Sequence, residues 1–334
     1  MPAEWEPQRA VQLTWPHEHT DWKPILPAIT VTYEEIAREI SKREQLIIVA
    51  PEDIIPRLSP LTSHLSPLNS NDTWARDHGF ITVEEDGELR LLDFCFNGWG
   101  EKFPADLDNE INRHLFERGM VKGIYEPHLD FVLEGGSIES DGKGTIFTTT
   151  CCLMAPHRNQ PLTQKEIEER LKEYLGAERI VWLNHGSLIG DDTDGHIDTL
   201  VRIAPNDTLL YTGGDEEHPD LVEMEKELQC LRTLDGKPYR LLKLPLPRPI
   251  YDRVTDSSLF TLHSSLKERL PATYANYLVI NGAVLVPTYG QPDLDAEAMR
   301  TIGKAFPDRE IVGIDCRAVI QQHGSLHCCT MQYY

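Results

Sequence analysis

With 334 residues, 40% of them hydrophobic, the chain can bury a sizeable core. Its formal net charge of −22 argues against nucleic acid or an anionic membrane as partner, since both need clustered Lys and Arg, and weakly favours a small cation. No stretch approaches the roughly 20 apolar residues that span a bilayer. The opening MPAEWEPQRA lacks the basic and apolar regions of a leader, so a soluble, cytoplasmic protein is expected.

Cys95, Cys151, Cys152, Cys230, Cys316, Cys328 and Cys329 form an odd set without regular spacing. They read as reduced thiols and not as a disulfide framework or a metal knuckle. With no Gly/Ser linker in the chain, a single domain spanning residues 1–334 is the expectation.

In chain order, Ala10 to Trp15 reads as a strand, and Thr32-Tyr33-Glu34-Glu35 reads as a capping box opening a helix that leads into the strand Leu46 to Val49. Gly79 to Val83 and Leu91 to Phe94 flank the turn Asp86-Gly87 as a hairpin, followed by a helix over Asp106 to Arg118. The same order recurs with Ser137 to Ser140 and Thr145 to Thr149, the capped helix Thr163 to Leu175 ending at Gly176, and the strand Ile180 to Leu183. A third unit runs from Ile197 to Ile203 and Leu209 to Tyr211 through a helix near Asp220 to Leu231 to the strand Tyr239 to Leu244. A fourth joins Tyr277 to Ile280 and Ala283 to Val286 at Asn281-Gly282, with a helix over Leu294 to Phe306 and a strand over Glu310 to Ile314. The last strand, His327 to Tyr334, and the first, Ala10 to Trp15, each lack a hairpin partner; pairing them closes a ring of five α/β units. The alternative is an ordinary open α/β sheet. The stretch Arg248 to Lys267 reads either as a lid or as a surface loop.

Chemically suggestive residues fall at the hairpin entries of that pattern: Asp77, Glu134, His196 with Asp198, and Cys328. Together they supply what attack on a guanidinium carbon needs. Asp77 and Asp198 can each accept two parallel N–H bonds from a planar cation. Cys328 supplies the nucleophile once ionised, and a histidine cycling between acid and base protonates the leaving nitrogen and deprotonates a water. His196 is that candidate, with Glu134 supporting its charged form. On a strand, the i, i+2 spacing of His196 and Asp198 would put both on one face, whereas the neighbours His327 and Cys329 would point away from the side of Cys328.

At these residues the sequence resembles the agmatine deiminases and bacterial peptidylarginine deiminases of the guanidine-modifying pentein superfamily. The resemblance rests on Met1-Pro2-Ala3-Glu4-Trp5-Glu6-Pro7, Trp15-Pro16, Asn71-Asp72-Thr73-Trp74-Ala75-Arg76-Asp77, Phe96-Asn97-Gly98-Trp99-Gly100, Leu133-Glu134-Gly135-Gly136, Asp194-Gly195-His196-Ile197-Asp198, Tyr274-Ala275-Asn276-Tyr277 and Gly324-Ser325-Leu326-His327-Cys328. It implies a five-bladed pseudo-symmetric α/β propeller and a cofactor-free, metal-free hydrolysis of agmatine to N-carbamoylputrescine and ammonia. It also implies Cys328 as nucleophile through an amidino-cysteine, His196 as acid/base, Asp77 and Asp198 as clamps and Glu134 as support. Trp74, Trp99, Asp194 and Gly324 are candidates for substrate contact, and self-association is left open. The chain departs from the family at Gln322-His323-Gly324, where agmatine deiminases usually carry three glycines. The competing readings are a peptidylarginine deiminase, a metal-dependent hydrolase using His196, Asp198, His327 and Cys328 as ligands, and an inactive binding module on the same scaffold.

Overall fold

Hydrogen-bond pairing divides the strands into five small sheets of one recurrent design. The computed structural model describes residues 1–252 and 268–334. Most of the candidate lid, 253–267, therefore lies outside the described residues. In each sheet an antiparallel pair is extended by a strand running parallel to its second member; such a parallel step needs a crossover connection.

In the first sheet β1 (Ala10–Thr14) is parallel to β2 (Gln45–Ala50), reached through the helix Leu26–Ser41, and β3 (His64–Pro67) extends that edge. The second holds β4 (Ile81–Glu85), β5 (Glu88–Cys95) and β6 (Ile124–Val132). The third holds β7 (Glu139–Ser140), β8 (Thr145–Thr149) and β9 (Arg179–Leu183). The fourth holds β10 (Val201–Ala204), β11 (Thr208–Thr212) and β12 (Arg240–Leu244), and the fifth β13 (Leu278–Ile280), β14 (Ala283–Thr288) and β15 (Glu310–Asp315). Finally β16 (Thr330–Tyr333) returns antiparallel to β1, with Ala10 opposite Tyr333, and closes a five-bladed pseudo-symmetric α/β propeller.

Local chemistry explains where the pattern held and where it slipped. Thr163 caps the helix Gln164–Leu175 with the reciprocal Glu166 bonds expected, and Gly176 ends it in the left-handed conformation. The helix expected to open at Thr32 instead begins at Leu26, because Pro27 fits a first turn, where its missing N–H costs nothing. Thr32 lies inside that helix and donates to the Asp315 carbonyl at 3.1 Å. The predicted helix over Asp106 to Arg118 divides into a 3-10 turn, Asp108–Glu110, and an α-helix, Ile111–Glu117.

The blade entries are tight 3-10 turns where continuous strand was expected: Gly135–Ser137, Ile197–Thr199 and His327–Cys329. A hydroxyl three residues on closes each turn, Ser137 onto the Glu134 carbonyl (2.6 Å), Thr199 onto that of His196 (2.8 Å) and Thr330 onto that of His327 (2.9 Å). These bonds stop the strand short and direct the entry side chains toward the ring centre. Among the described residues, no helix is long and apolar enough to cross a membrane.

Candidate active site

Every blade contributes one entry segment to the centre: Asp77 precedes β4, Glu134 precedes β7, His196 and Asp198 precede β10, Asn276 precedes β13, and His327 and Cys328 precede β16. Side-chain contacts join these positions around a cavity lined by Asp77, Trp74, Trp99, Gly324 and Cys328, among others. Its outer wall includes Asp21, Asp72, Asp192, Gln322 and His323.

The Cys328 sulfur is 3.7 Å from Asp198 Oδ2 and 3.3 Å from Asn276 Nδ2. Burial and the nearby Asp198 and Asp77 carboxylates raise its pKa well above the ordinary thiol value, so the resting group is a neutral thiol. Cys329 turns away and contacts the Ser325 carbonyl at 3.3 Å. On a 3-10 turn, strand alternation no longer sets these directions; the turn itself separates the two thiols.

His196 is fully buried between Asp77 and Glu134, with Nδ1 3.7 Å from Asp77 Oδ1 and Nε2 3.9 Å from Glu134 Oε2. Neither ring nitrogen makes a hydrogen bond. Burial opposes its charging, but Asp77, then Cys152 and Glu134, outweigh that and hold the imidazole well above the usual histidine pKa. A β-carbon on Gly136 would strike His196 Nδ1 and Asp77 Oδ1, so glycine is required there for close approach.

Asp77 accepts Gly136 N–H on Oδ1 and the Trp99 indole N–H on Oδ2, both at 3.0 Å. Burial pushes its pKa to about 6. Trp99 reaches it from a run of left-handed residues, Gly98 to Glu101, an uncommon conformation for a bulky side chain. Trp74 packs between Trp22 and Trp99, and a β-carbon at Gly324 would collide with its ring.

Asp198 behaves differently. Its Oδ2 accepts His327 Nδ1–H at 2.7 Å while Oδ1 has no partner. Burial acts against ionisation, yet His327, His196 and Arg202 hold the carboxyl below the usual range.

Sequence reasoning missed three members of this assembly. Arg158, its side chain fully buried, places Nε 3.0 Å from Glu134 Oε1 and Nη1 2.6 Å from Asp194. Burial disfavours the Glu134 charge, but His196 and Arg158 keep it ionised. Asn276 accepts the His327 backbone N–H at 2.8 Å and touches Cys328; its place at the fifth hairpin entry was the available signal. Glu4 meets His327 Nε2 at 2.8 Å. Asp194 is drawn to Arg158 and to Lys102, at 2.8 Å, and is not among the cavity walls.

The four-ligand metal set is not assembled, because both ring nitrogens of His327 are committed to carboxylates. Glu134, Cys152 and His196 do place ligand atoms within 4.8 Å of one another, but Arg158 already occupies the Glu134 carboxylate.

A family model described as Porphyromonas-type peptidyl-arginine deiminase matches residues 1–333. The chain belongs to that family. Among relatives of the Porphyromonas-type deiminase family, an agmatine deiminase of Pseudomonas aeruginosa is 32% identical over 99% of this chain and 94% of its own. A Porphyromonas gingivalis structure, provisionally described as an arginine deiminase, is 48% identical with a TM-score of 0.90, covering 100% of this chain and 97% of that one. A Cys-to-Ser form of the C. jejuni agmatine deiminase, solved with substrate bound, is 36% identical with a TM-score of 0.89, covering 100% and 95% respectively. A dimethylarginine dimethylaminohydrolase at 11% identity and TM-score 0.54, covering 98% of this chain and 100% of that one, shares the fold.

Proposed function

We propose that the protein hydrolyses agmatine to N-carbamoylputrescine and ammonia. The observation that carries this reading is the arrangement at the ring centre: the Cys328 thiol and the Asp77 carboxylate line the cavity, Asp198 lies 3.7 Å from the thiol and His196 3.7 Å from Asp77, and the described lining residues include no Lys or Arg. Asp77 and the free Oδ1 of Asp198 hold the guanidinium. Its positive charge offsets the carboxylates that keep Cys328 protonated, so the thiol ionises to water when substrate is bound.

Sulfur then bonds to the guanidinium carbon. His196, charged at rest, gives its proton to one nitrogen, and the C–N bond breaks to release ammonia and leave a thiouronium on Cys328. A water entering the vacated place gives a proton to His196 as its oxygen bonds to carbon. The C–S bond breaks, the hydroxyl proton passes to the departing sulfur, and the ureido product leaves with the neutral thiol restored.

Substrate choice follows from the mouth. Asp21, Asp72 and Asp192 suit the far ammonium of agmatine, while the α-carboxylate of arginine finds no Lys or Arg among the described lining residues. A polypeptide substrate needs an open approach. Here Gln322 donates to the Asp21 carbonyl at 3.0 Å and His323, in a left-handed conformation, to that of Gly190 at 2.7 Å, so the side chains standing where the family has glycine span the entrance. Both features favour a small amine over a protein.

Ammonia release from agmatine, arginine and a blocked arginine peptide, measured in parallel with EDTA present, tests the proposal. Agmatine-selective release, lost in Cys328→Ala, is expected. Preference for the peptide would replace the substrate, and loss with EDTA alone would replace the chemistry.

A further inference from the structure

Resting on the clamp role just given to Asp198, we propose that His327 and Glu4 are positioning residues for that carboxylate, so that the N-terminal segment takes part in substrate recognition. His327 is 1% exposed and lies between two carboxylates, Asp198 Oδ2 at 2.7 Å from Nδ1 and Glu4 Oε2 at 2.8 Å from Nε2. Both carboxyls are held below their usual range: at Glu4 burial is overcome by Arg202 and His327, and at Asp198 by His327, His196 and Arg202. An ionised carboxylate only accepts, so Nδ1 donates to Asp198, while Nε2 lies between Glu4 Oε2 at 2.8 Å and Arg202 Nη2 at 3.2 Å.

The consequence is geometric. A carboxylate on a single bond can rotate; one fixed at Oδ2 by a buried N–H donor presents Oδ1 in one direction. That free Oδ1 is fully buried and has no partner. His327 is fixed in turn by its far nitrogen. Glu4 cannot swing away, because Oε1 accepts the Val279 N–H at 2.7 Å and Oε2 accepts Arg202 Nη2 at 2.5 Å. Arg202 is itself held by Glu139 and the Tyr277 carbonyl, and Gln8 fastens the Glu4 carbonyl at 2.6 Å. The motif Met1 to Pro7 thus reaches the cavity through one imidazole.

The test uses Glu4→Gln and His327→Gln in the full chain, with agmatine as substrate. The charged or titratable groups facing Asp198 are His327, Arg202, His196, Asp77 and Cys328. Without the hydrogen bond from His327, burial of Asp198 is less fully offset and its pKa rises. The acid limb of kcat/KM should then steepen toward two protons and move to higher pH. For His327→Gln, KM is expected to rise about 10-fold or more, exceeding the fall in kcat. Glu4→Gln, which keeps the shape and the Val279 bond, should shift the limb the same way by less. A loss of Tm with KM and the acid limb unchanged in both variants would reduce the pair to a structural role and overturn the proposal. Should His327→Gln not fold, Glu4→Gln decides alone. An arm needing no variant is 15N NMR of histidine-labelled wild type, where an Nδ1 of His327 that carries no proton would also overturn it. Failure of the agmatine reading is seen separately, as a wild-type protein that releases no ammonia.

Discussion

Two buried quartets of the same composition flank the cavity: Asp77, His196, Glu134 and Arg158 on one side, and Asp198, His327, Glu4 and Arg202 on the other. In each a histidine stands between an aspartate at the cavity and a glutamate, and an arginine neutralises the glutamate. The spacing separates them. His196 keeps 3.7 and 3.9 Å from its carboxylates and makes no hydrogen bond, whereas His327 sits at 2.7 and 2.8 Å and makes two. A histidine whose ring nitrogens are both engaged can only orient its neighbours. One held in the field of two carboxylates without bonding to either keeps its charge and has nitrogens free to exchange protons with something that enters.

Breaking the loose quartet at its centre should have the largest effect. His196→Asn is expected to lower kcat by about 10²–10⁴-fold at saturating agmatine with little change in KM, the range for a lost acid/base group. Arg158→Gln leaves Glu134 as an unmatched buried charge. About 3–5 kcal/mol of stability should be lost in urea denaturation, with kcat falling as the charge balance around His196 shifts.

The comparison also predicts a pH signature. Asp77 titrates at about 6, above its unfolded value, so its contribution to stability is complete below the unfolded pKa and lost as pH rises through 6. Binding runs the other way, since only the ionised form holds a guanidinium. From low pH, kcat/KM should climb about tenfold per unit and level off above about 6, and Asp77→Asn should lose both that limb and most of the activity. Trp99→Phe, which removes only the indole donor on Asp77, should weaken agmatine binding by about 1.5–3 kcal/mol, read as a higher KM. The smallest effect is expected at Asp194, whose partners are Lys102 and Arg158. Asp194→Asn should alter KM by less than about threefold and stability by less than about 1 kcal/mol.

Much of the architecture was legible in the residues, because hairpin turns such as Asp86-Gly87 and the Thr163 capping box are local signals that tertiary context leaves in place. So was the convergence of Asp77, Glu134, His196, Asp198 and Cys328, which needed only blade order. What escaped was conformation at the entries and everything joined across the ring. Strand alternation supplied the wrong backbone at His196 and Cys328 and turned His327 away from a site where it bonds Asp198, although a Ser or Thr three residues after Glu134, His196 and His327 was there to announce a tight turn. Arg158 and Glu4 meet their partners only after long-range closure, and no periodicity reports a pairing of that kind.

The join between β1 and β16 has a consequence for synthesis. Ala10 leaves the ribosome more than 300 residues ahead of Tyr333, and Cys328 stands in the turn before the strand that makes the join. A chain still being made therefore exposes an unpaired edge on its first sheet until β16 has been made. It also lacks its proposed nucleophile until that edge is about to be covered, so incomplete chains are chemically inert.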